Sequence, residues 1–319
     1  MISIRKVNKF FGSIAAVTDI SFEVQEGENF ILLGTSGCGK TTTLRMINRL
    51  TAISSGTILV NGKSISDQSP EILRRGIGYV LQHNSLFPHY TIAENIAVVP
   101  RLLKWNKSKT ETRTIELLEK LHLPANYLSK YPHQLSGGEA QRINLARALV
   151  ADPPILLMDE PFGALDPLTR VAIRKEFSAL DEFKRKTIMM VTHDVLEAFE
   201  LGNRICLMDK GKVMQIGTSV ELLFHPANDF VKNFLAGAYM QLALIVTTIN
   251  ALWPYLQSGN NDVSSHPVIS SNTSLWNVME QLTTKNDTHL NVHHEKNKEI
   301  RNVSIADILQ AFTAYKQHL

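Results

Sequence analysis

A glycine-rich loop between an apolar run and a helical pattern constrains this chain more than any other feature. The apolar run Phe30 to Leu33 precedes a segment with the pattern G-x-x-x-x-G-K-[ST]. The segment and the residue after it are Gly34, Thr35, Ser36, Gly37, Cys38, Gly39, Lys40, Thr41 and Thr42. Glycines let backbone N–H groups close around phosphate oxygens, and the positive end of the following helix attracts the same anion. The segment therefore predicts a phosphate-binding loop between a strand and a helix.

Further apolar runs end in turn residues and alternate with helical patterns. Ile155–Met158 precedes Asp159, and Ile188–Val191 precedes Thr192. Helical periodicity is present in residues 41–50, 139–150, 167–182 and 194–200. Buried strands that alternate with helices predict an α/β fold with a largely parallel core. Before that core, residues 2–11 and 20–24 have the pattern of strands in an antiparallel edge sheet, and residues 83–134 contain a helical insertion with one helix at 110–121.

Composition limits the class of protein and its surroundings. The chain has 319 residues and a formal net charge of +3, which is too small an imbalance to indicate a nucleic-acid partner. Its two cysteines, Cys38 and Cys206, are typical of a reducing compartment. The first residues lack the apolar core of a signal peptide. Residues 240–256 are apolar only in part, so we expect a buried or interfacial helix and not a membrane span.

Charged and hydroxyl side chains at these strand ends suit nucleotide chemistry. Lys40 supplies a compact positive charge for the β- and γ-phosphates, and the hydroxyl of Thr41 is a ligand for Mg²⁺. Asp159 is placed to hold Mg²⁺ through water, and Glu160 points elsewhere, so it can polarise an attacking water. Taken alone, the Asp159–Glu160 pair has an alternative interpretation as two surface carboxylates at the end of a strand. Cys38 is either an inert small residue of the loop or an accessible thiol.

A second anion site is predicted at the sequence LSGGEAQR, residues 135–142. Ser136, Gly137 and Gly138 expose N–H groups at the start of a helix. With this segment the chain resembles the ABC ATPase family, whose signature is LSGGQ-like, and Glu139 stands at the usual glutamine position. The resemblance implies a phosphate-loop NTPase core of the ABC ATPase type, with an antiparallel β edge subdomain and a helical subdomain at about residues 83–150.

The resemblance also implies roles for single residues. Gln82 matches the glutamine that contacts Mg²⁺ and water, so the implied Mg²⁺ ligands are Thr41, Gln82 and Asp159. Asp166 lies in the loop that contacts the opposite subunit. His193 matches the switch histidine that contacts the γ-phosphate and holds Glu160. Phe11 lies where an aromatic ring stacks on adenine, although ordinary core packing is the alternative.

An assembly follows from the same resemblance. ATP and Mg²⁺ are expected between two head-to-tail subunits of a homodimer, with Ser136 of one copy facing the phosphate loop of the other. A transmembrane permease and, through it, a substrate-binding protein are the expected partners, without nucleic acid, at the cytoplasmic face of the inner membrane. The loop 85–90 is a candidate permease-docking surface, and core packing of Leu86 and Phe87 is the alternative. An ABC subunit of another importer or exporter, or an ABC ATPase that does mechanical work without transport, remains the alternative function.

The class of transported compound rests on a closer similarity. Residues 75–82, 86–97 and 99–103 resemble the ATP subunits of glycine betaine/carnitine/choline/proline importers. None of these residues touches the transported compound, so the inference is an analogy within the family.

The last part of the chain predicts a small α+β domain. The expected domains are an ABC ATPase at 1–236, a linker with a degenerate segment at 237–267, and a single CBS-like module at 268–319. In this module we expect a helix at 275–282, a hairpin at 290–303 and a second helix at 304–315. A first module of a CBS pair is absent or eroded to residues 240–256. The cluster His289, His293, His294 and Glu295 has two interpretations, a metal site and an exposed hairpin, of which the hairpin is favoured.

Overall fold

A computed structural model describes residues 1–81, 85–256, 268–284, 288–296 and 298–318. The chain forms two compact units, Met1–Ile216 and Gly217–Leu319. Within these described ranges no helix is long and apolar enough to cross a membrane. Each unit has its own sheet or sheets, and the phosphate-binding loop predicted from the sequence lies in the first unit.

The first unit contains a six-stranded sheet that carries the predicted site. Its strands are β3 (Asn29–Gly34), β6 (Ile77–Val80), β7 (Ile155–Asp159), β8 (Thr187–Thr192), β9 (Arg204–Asp209) and β10 (Lys212–Gly217). The order in the sheet is β10-β9-β3-β8-β7-β6, and the pairs β9/β3, β3/β8, β8/β7 and β7/β6 are parallel. Parallel pairing brings the carboxyl ends of β3, β8 and β7 side by side, as the α/β prediction requires.

The first unit also contains a four-stranded antiparallel sheet, with two strands before β3 in the sequence and two after it. Its strands are β1 (Ile2–Phe11), β2 (Ile14–Val24), β4 (Ser55–Val60) and β5 (Lys63–Ser64), in the order β2-β1-β4-β5. The predicted strand at residues 2–11 is confirmed. Strand β2 begins at Ile14, before the predicted residue 20. The sequence did not indicate this start, because the first residues of the strand include exposed ones and carry no apolar alternation.

Short helices connect and cover the strands. They are α1 (Lys40–Ile47), α2 (Pro70–Arg75), α3 (Ile92–Ile96), α4 (Val98–Leu102), α5 (Lys107–Lys120), α6 (Gly137–Leu149), α7 (Pro167–Ala179), α8 (Asp181–Lys184) and α9 (Val195–Leu201). Helices α3 to α6 form the insertion predicted between two core strands. The continuous helix predicted at 167–182 is instead α7 and α8, because Leu180 adopts an extended conformation between them.

A hydrophobic cluster between the two sheets anchors the loop. Phe22 of β2 stacks on Phe30 of β3 with ring centroids 5.0 Å apart. Leu44 and Ile47 of α1 are fully buried in the same cluster, which also contains Cys38 of the loop. Burying side chains of this size contributes roughly 1.5–3 kcal/mol each. Apolar packing of its buried face therefore fixes the position of α1, the helix that follows the phosphate loop.

The second unit is a small α+β domain. Its elements are α10 (Ser219–Phe224), α11 (Asp229–Ala236), α12 (Tyr239–Val246), α13 (Ile249–Leu252), β11 (Val268–Ser270), α14 (Leu275–Thr284), β12 (His289–His293), β13 (Ile300–Ser304) and α15 (Ile305–Lys316). Strand β11 is parallel to β12, and β12 pairs antiparallel with β13. The hairpin and both helices predicted at 275–315 are confirmed.

Two features of this unit bear on the sequence predictions. The segment 240–256 forms α12, α13 and a 3-10 turn, with Leu242, Ala243, Ile249 and Leu252 fully buried, which fits the buried interpretation. Helices α10 and α11 pack in this unit, although the predicted ATPase domain extends to residue 236. The ring of Phe224 contacts the rings of Tyr239 and Tyr315 edge-on.

Among the residues that the structure describes, no group of three or more His, Cys, Asp or Glu side chains could hold a metal ion.

Candidate nucleotide site

The loop between β3 and α1 requires glycine for both conformation and space. Gly34, Gly37 and Gly39 have φ angles of 149°, 76° and 102°, a region that residues with a Cβ seldom adopt. A Cβ on Gly34 would lie 2.1 Å from the carbonyl oxygen of Met208, and one on Gly39 would lie 2.5 Å from that of Ala16. Helix α1 begins at Lys40 without a side-chain cap. Its first N–H groups therefore face the loop, where an anion can accept from them.

Lys40 places a positive charge at the centre of this loop. Its ammonium donates to the carbonyl oxygens of Gly34 and Thr35, each at 2.8 Å, and the residue is only 4% exposed. The hydroxyl of Thr35 in turn donates to Asp209 at the end of β9, over 3.2 Å. Asp209 was not predicted from the sequence, although a carboxylate at the end of an apolar strand is the signal that indicates Asp159.

The two cysteines of the chain are buried side chains. Cys38 belongs to the loop, and its side chain is buried. Burial raises the pKa of its thiol, an effect that the neighbouring Lys40 partly offsets. Cys206 is fully buried in β9, and burial raises its pKa as well. A thiol that stays protonated is a poor nucleophile, so the interpretation of Cys38 as an inert small residue is favoured.

Thr41 and Asp159 form an oxygen pair at the edge of the loop. The Thr41 hydroxyl donates to Asp159 Oδ1 over 2.7 Å. Asp159 is 2% exposed; burial raises the pKa of its carboxyl, and the hydrogen bond from Thr41 opposes this shift. A hydroxyl and a carboxylate in contact are hard oxygen ligands of the kind that Mg²⁺ prefers. The residues present therefore fit the predicted magnesium site. Gln82, the third predicted ligand, lies outside the described residues.

Glu160 and His193 meet at the ends of neighbouring strands. Glu160 follows β7 and has a φ angle of 45°, which turns its side chain away from that of Asp159. Its N–H donates to the carbonyl of Val191 in β8, over 3.0 Å. Glu160 Oε2 lies 3.0 Å from His193 Nδ1, and the histidine side chain is 58% exposed. A carboxylate held by an exposed imidazole beside the phosphate loop is a candidate general base.

A buried network that the sequence analysis missed fixes the backbone around His193. The Thr192 hydroxyl donates to Glu197 Oε2 over 2.6 Å and accepts from the Asp194 N–H over 3.0 Å. The Asp194 carboxylate then caps α9 by accepting from two backbone N–H groups. Glu197 is 3% exposed, and burial raises the pKa of its carboxyl. Only the spacing of five residues between Thr192 and Glu197 could have indicated this network.

The predicted signature segment begins α6 with a complete capping box. Ser136 Oγ accepts from the Glu139 N–H, and Glu139 Oε2 accepts from the Ser136 N–H over 2.7 Å. The other Glu139 oxygen accepts from Tyr127 Oη over 2.6 Å. Tyr127 was not identified from the sequence. The hydrogen bonds to Glu139, that from Tyr127 foremost, hold the pKa of its carboxyl below the usual range.

The loop with Asp166 lies against this signature segment. Asp166 caps α7 by accepting from the Thr169 N–H over 3.0 Å. A Cβ on Gly137 would lie 3.8 Å from Leu165 Cδ2, and one on Gly138 would lie 2.9 Å from Thr169 Cγ2. Gly138 is thus required by the close approach of α7, a reason for glycine that its place in the signature did not reveal.

Two predicted contact surfaces present aromatic rings. Phe11, at the end of β1, is 51% exposed, so the alternative of core packing is not supported; Lys9 lies 4.6 Å from its ring centre. In the loop at 85–90, Leu86 is buried whereas Phe87 is 47% exposed. The fully buried Asn95 holds this loop by accepting from the Phe87 N–H and donating to the Phe87 carbonyl, at 2.7 Å and 3.1 Å. The ring of Phe87 is therefore exposed, and Leu86 belongs to the core.

Comparisons with known proteins agree with this geometry. The family model described as ABC transporter matches residues 17–163. The glycine betaine/carnitine/choline transport ATP-binding protein OpuCA of Bacillus subtilis is 49% identical over 74% of this chain and 62% of its own length. The chain thus spans less than two thirds of OpuCA. The glycine betaine uptake system ATP-binding protein YehX of Escherichia coli is 47% identical over 77% of this chain and 80% of its own length.

Solved structures give the same assignment. A dimeric structure of the ATP-binding cassette MJ0796, in a post-hydrolysis state bound to ADP and Pi, superposes with a TM-score of 0.61 at 32% identity. It covers 68% of this chain and 98% of MJ0796. With the phosphate loop, the signature segment and the Glu160–His193 contact in place, the chain belongs to the ATP-binding proteins of the ABC transporter family.

Proposed function

We propose that the chain is the ATP-hydrolysing subunit of an ABC importer that takes up a quaternary amine or osmoprotectant such as glycine betaine, choline, carnitine or proline. The observation that carries the proposal is the contact of Glu160 with His193 beside the oxygen pair of Thr41 and Asp159. The names of OpuCA and YehX support the substrate class. An ABC subunit of another transporter, or one that does mechanical work, is the alternative.

Binding of ATP uses surfaces from both sheets. The exposed ring of Phe11 stacks on adenine, and the N–H groups of residues 34–42 surround the phosphates, with Thr42 in the first turn of α1. Lys40 directs its ammonium to the β- and γ-phosphates. Mg²⁺, when bound, neutralises phosphate charge, and Thr41, Asp159 and Gln82 are the residues that would hold it.

Hydrolysis needs an oriented water more than covalent chemistry. The Glu160 carboxylate accepts a hydrogen bond from the water and aligns its oxygen with the γ-phosphorus. The new bond joins the water oxygen to the γ-phosphorus, and the bond from that phosphorus to the bridging oxygen of ADP breaks. The proton of the water leaves towards Glu160, while His193 fixes the carboxylate and contacts the γ-phosphate. The N–H groups and hydroxyl of Ser136, Gly137 and Gly138 in a second copy complete the charge stabilisation.

This arrangement makes a homodimer part of the mechanism. Two ATP molecules bridge two head-to-tail copies, and Asp166 lies in the loop that meets the opposite copy. ATP favours the closed pair because it binds both halves at once, and hydrolysis removes the bridge. A transmembrane permease docks at the loop of Phe87 and Tyr90, on the cytoplasmic face of the inner membrane, and a substrate-binding protein acts through the permease.

The proposed domains are an ATPase at 1–236, a linker with a degenerate segment at 237–267 and one CBS-like module at 268–319. The β-α-β-β-α arrangement of the last module supports this division. A regulatory role for the module is testable by truncation near Gly237. Unchanged activation by osmotic strength in the truncated transporter would exclude that role.

The function itself is tested with the assembled transporter. The chain is purified with its permease, and ATP hydrolysis is measured with glycine betaine, choline, carnitine and proline, each delivered with the substrate-binding protein. The proposal predicts stimulation by at least one of them and none by sulfate, which lacks an ammonium group. The variant Glu160→Gln in the same complex provides the background rate. Hydrolysis without stimulation by any of these four compounds would favour another transporter, and absence of hydrolysis would contradict the ATPase assignment.

A further inference from the structure

Helix α7 contacts the signature helix on one side. Gly138 at the start of α6 approaches Thr169 and Ile173 of α7 so closely that no Cβ fits without displacement. About one turn further along α6, Arg142 makes a bidentate pair with Glu176 of α7, with donor–acceptor distances of 3.1 Å and 2.9 Å. A shift of the signature segment is therefore transmitted to α7 at two levels.

The same helix reaches Asp194, the residue after His193, through Arg170. Its Nη2 donates to the carbonyl oxygen of Leu165 over 3.0 Å, directly before Asp166. Its Nη1 lies 3.9 Å from Asp194 Oδ2, directly after His193. The Arg170 and Asp194 side chains are 27% and 25% exposed, so their attraction is less screened by water than that of a surface pair. One guanidinium thus touches the loop before α7 and the cap of α9.

Among the described residues Arg170 forms an ion pair with Asp194, and Glu197 also attracts its charge. Arg174, one turn along α7, pairs with Glu200 at 2.8 Å. The Glu197 carboxylate accepts from Thr192. The Nε–H of Arg170 is buried and has no hydrogen-bond acceptor in the part of the chain that the structure describes. A small approach of α7 to α9 would therefore tighten the contact of Arg170 with Asp194, since a guanidinium gains most from two-point contact with a carboxylate.

We propose that Arg170 is a positioning residue that couples the loop of Leu165 and Asp166 to His193, so that contact of that loop and the signature segment with a second copy sets the alignment of Glu160. The inference rests on the proposed function, because it needs the ATP-bound dimer. Arg170 acts through Asp194, whose carboxylate caps α9 and whose N–H is fixed by Thr192.

The test compares Arg170→Met with Arg174→Met in the full chain. Both variants remove one guanidinium from α7, but Arg174 forms its ion pair with Glu200, towards the far end of α9. We expect Arg170→Met to lower kcat for ATP hydrolysis about tenfold with the KM for ATP within about twofold. Arg174→Met keeps kcat within about twofold. The more conservative Arg170→Lys recovers part of the rate, because it retains the charge beside Asp194.

A double-mutant cycle with His193→Ala separates coupling from general damage. Single-turnover hydrolysis of bound ATP, followed over hours, measures the slow residual rate of His193→Ala. If Arg170 acts through His193, Arg170→Met lowers that residual rate no further. A tenfold loss in both backgrounds, an equal loss in Arg174→Met, or an unchanged kcat in Arg170→Met would overturn the proposal.

Controls keep folding and function apart. Thermal melting shows whether Arg170→Met is folded; if it is not, Arg170→Lys carries the same cycle, with a reduced rate expected only when His193 is present. A wild-type chain that binds ATP and never hydrolyses it would contradict the proposed function, and with it the coupling. If the wild type hydrolyses ATP but Arg170→Met and His193→Ala lower the rate independently of each other, only the proposed coupling would be contradicted.

Discussion

Glu160 Oε2 lies 3.0 Å from His193 Nδ1, although the two residues follow different strands. The contact exists because β7 and β8 are parallel neighbours, with Asp159 paired to Val191, so that the residue after each strand emerges at the same edge. The left-handed backbone of Glu160 then directs its carboxylate to the histidine and leaves Asp159 facing Thr41. Under the proposed function, one strand end therefore serves two purposes, cation binding by Asp159 and water orientation by Glu160.

Replacement of the loop lysine tests the phosphate site. Lys40→Ala should abolish measurable binding of a fluorescent ATP analogue, because the 4% exposed ammonium is the central positive charge of the loop. Lys212→Ala, at an exposed position of β10, removes the same charge elsewhere and should bind normally. Unchanged affinity in Lys40→Ala would count against the assignment of the loop.

Two adjacent phenylalanines provide a matched test of adenine stacking. Phe11→Ala should weaken ATP binding about tenfold, since stacking of a base on an aromatic ring contributes roughly 1–3 kcal/mol. Phe10 is similarly exposed, at 47% against 51%, but successive side chains of a strand point to opposite faces. Phe10→Ala should therefore bind ATP as the wild type does. Equal effects in the two variants, measured by calorimetric titration, would argue against a specific stacking role.

Two adjacent glycines of the signature should respond in opposite ways to alanine. Gly138→Ala places a Cβ 2.9 Å from Thr169 Cγ2, so we expect a loss of about 1–3 kcal/mol in the free energy of unfolding. Gly137→Ala meets only an ordinary contact at 3.8 Å and should be neutral or up to about 1 kcal/mol more stable. Denaturant titration of both variants measures the difference. A neutral Gly138→Ala would mean that α7 moves aside without cost.

The capping box of α6 should make part of the stability depend on pH. The pKa of Glu139 is lowered by hydrogen bonds from Tyr127 and Ser136, so its ionised form stabilises the native state. This contribution is complete above the ordinary pKa of a glutamate, about 4.3, and is lost as the pH falls through the lower pKa of the folded state. In Glu139→Gln this dependence should disappear. Melting temperatures of both proteins between about pH 3 and pH 6 measure it, and parallel curves would contradict the prediction.

The elements of the site could be predicted because each of its motifs is local. An apolar run, then a glycine loop or a carboxylate, then a helical pattern is visible in a single segment, as at Phe30 to Thr41 or Ile155 to Glu160. The parallel order of the strands then brings such segments together. Asp209 has the same local pattern, but it was missed because it does not belong to an extended sequence motif.

Contacts between distant segments could not be predicted. Arg170 contacts Asp194, and Tyr127 contacts Glu139, because their segments pack against each other. The periodicity of a sequence predicts single helices and strands but does not say which of them lie close in space. The early start of β2 was hidden by its exposed residues, and the break at Leu180 by an uninterrupted helical pattern. Likewise, α10 and α11 continue the predicted ATPase domain in sequence yet pack within the second unit, where Phe224 meets Tyr239 and Tyr315.

In the proposed dimer, Ser136 of one copy and the loop around Lys40 of another enclose one nucleotide. The variant Glu160→Gln keeps the shape of the side chain but removes the carboxylate that orients water, so bound ATP should persist. Light scattering after size-exclusion chromatography with ATP and Mg²⁺ should then show a stable dimer with two ATP molecules, and Ser136→Arg in the same background should be monomeric. A Glu160→Gln chain that binds ATP and remains a monomer at every protein concentration would contradict the account.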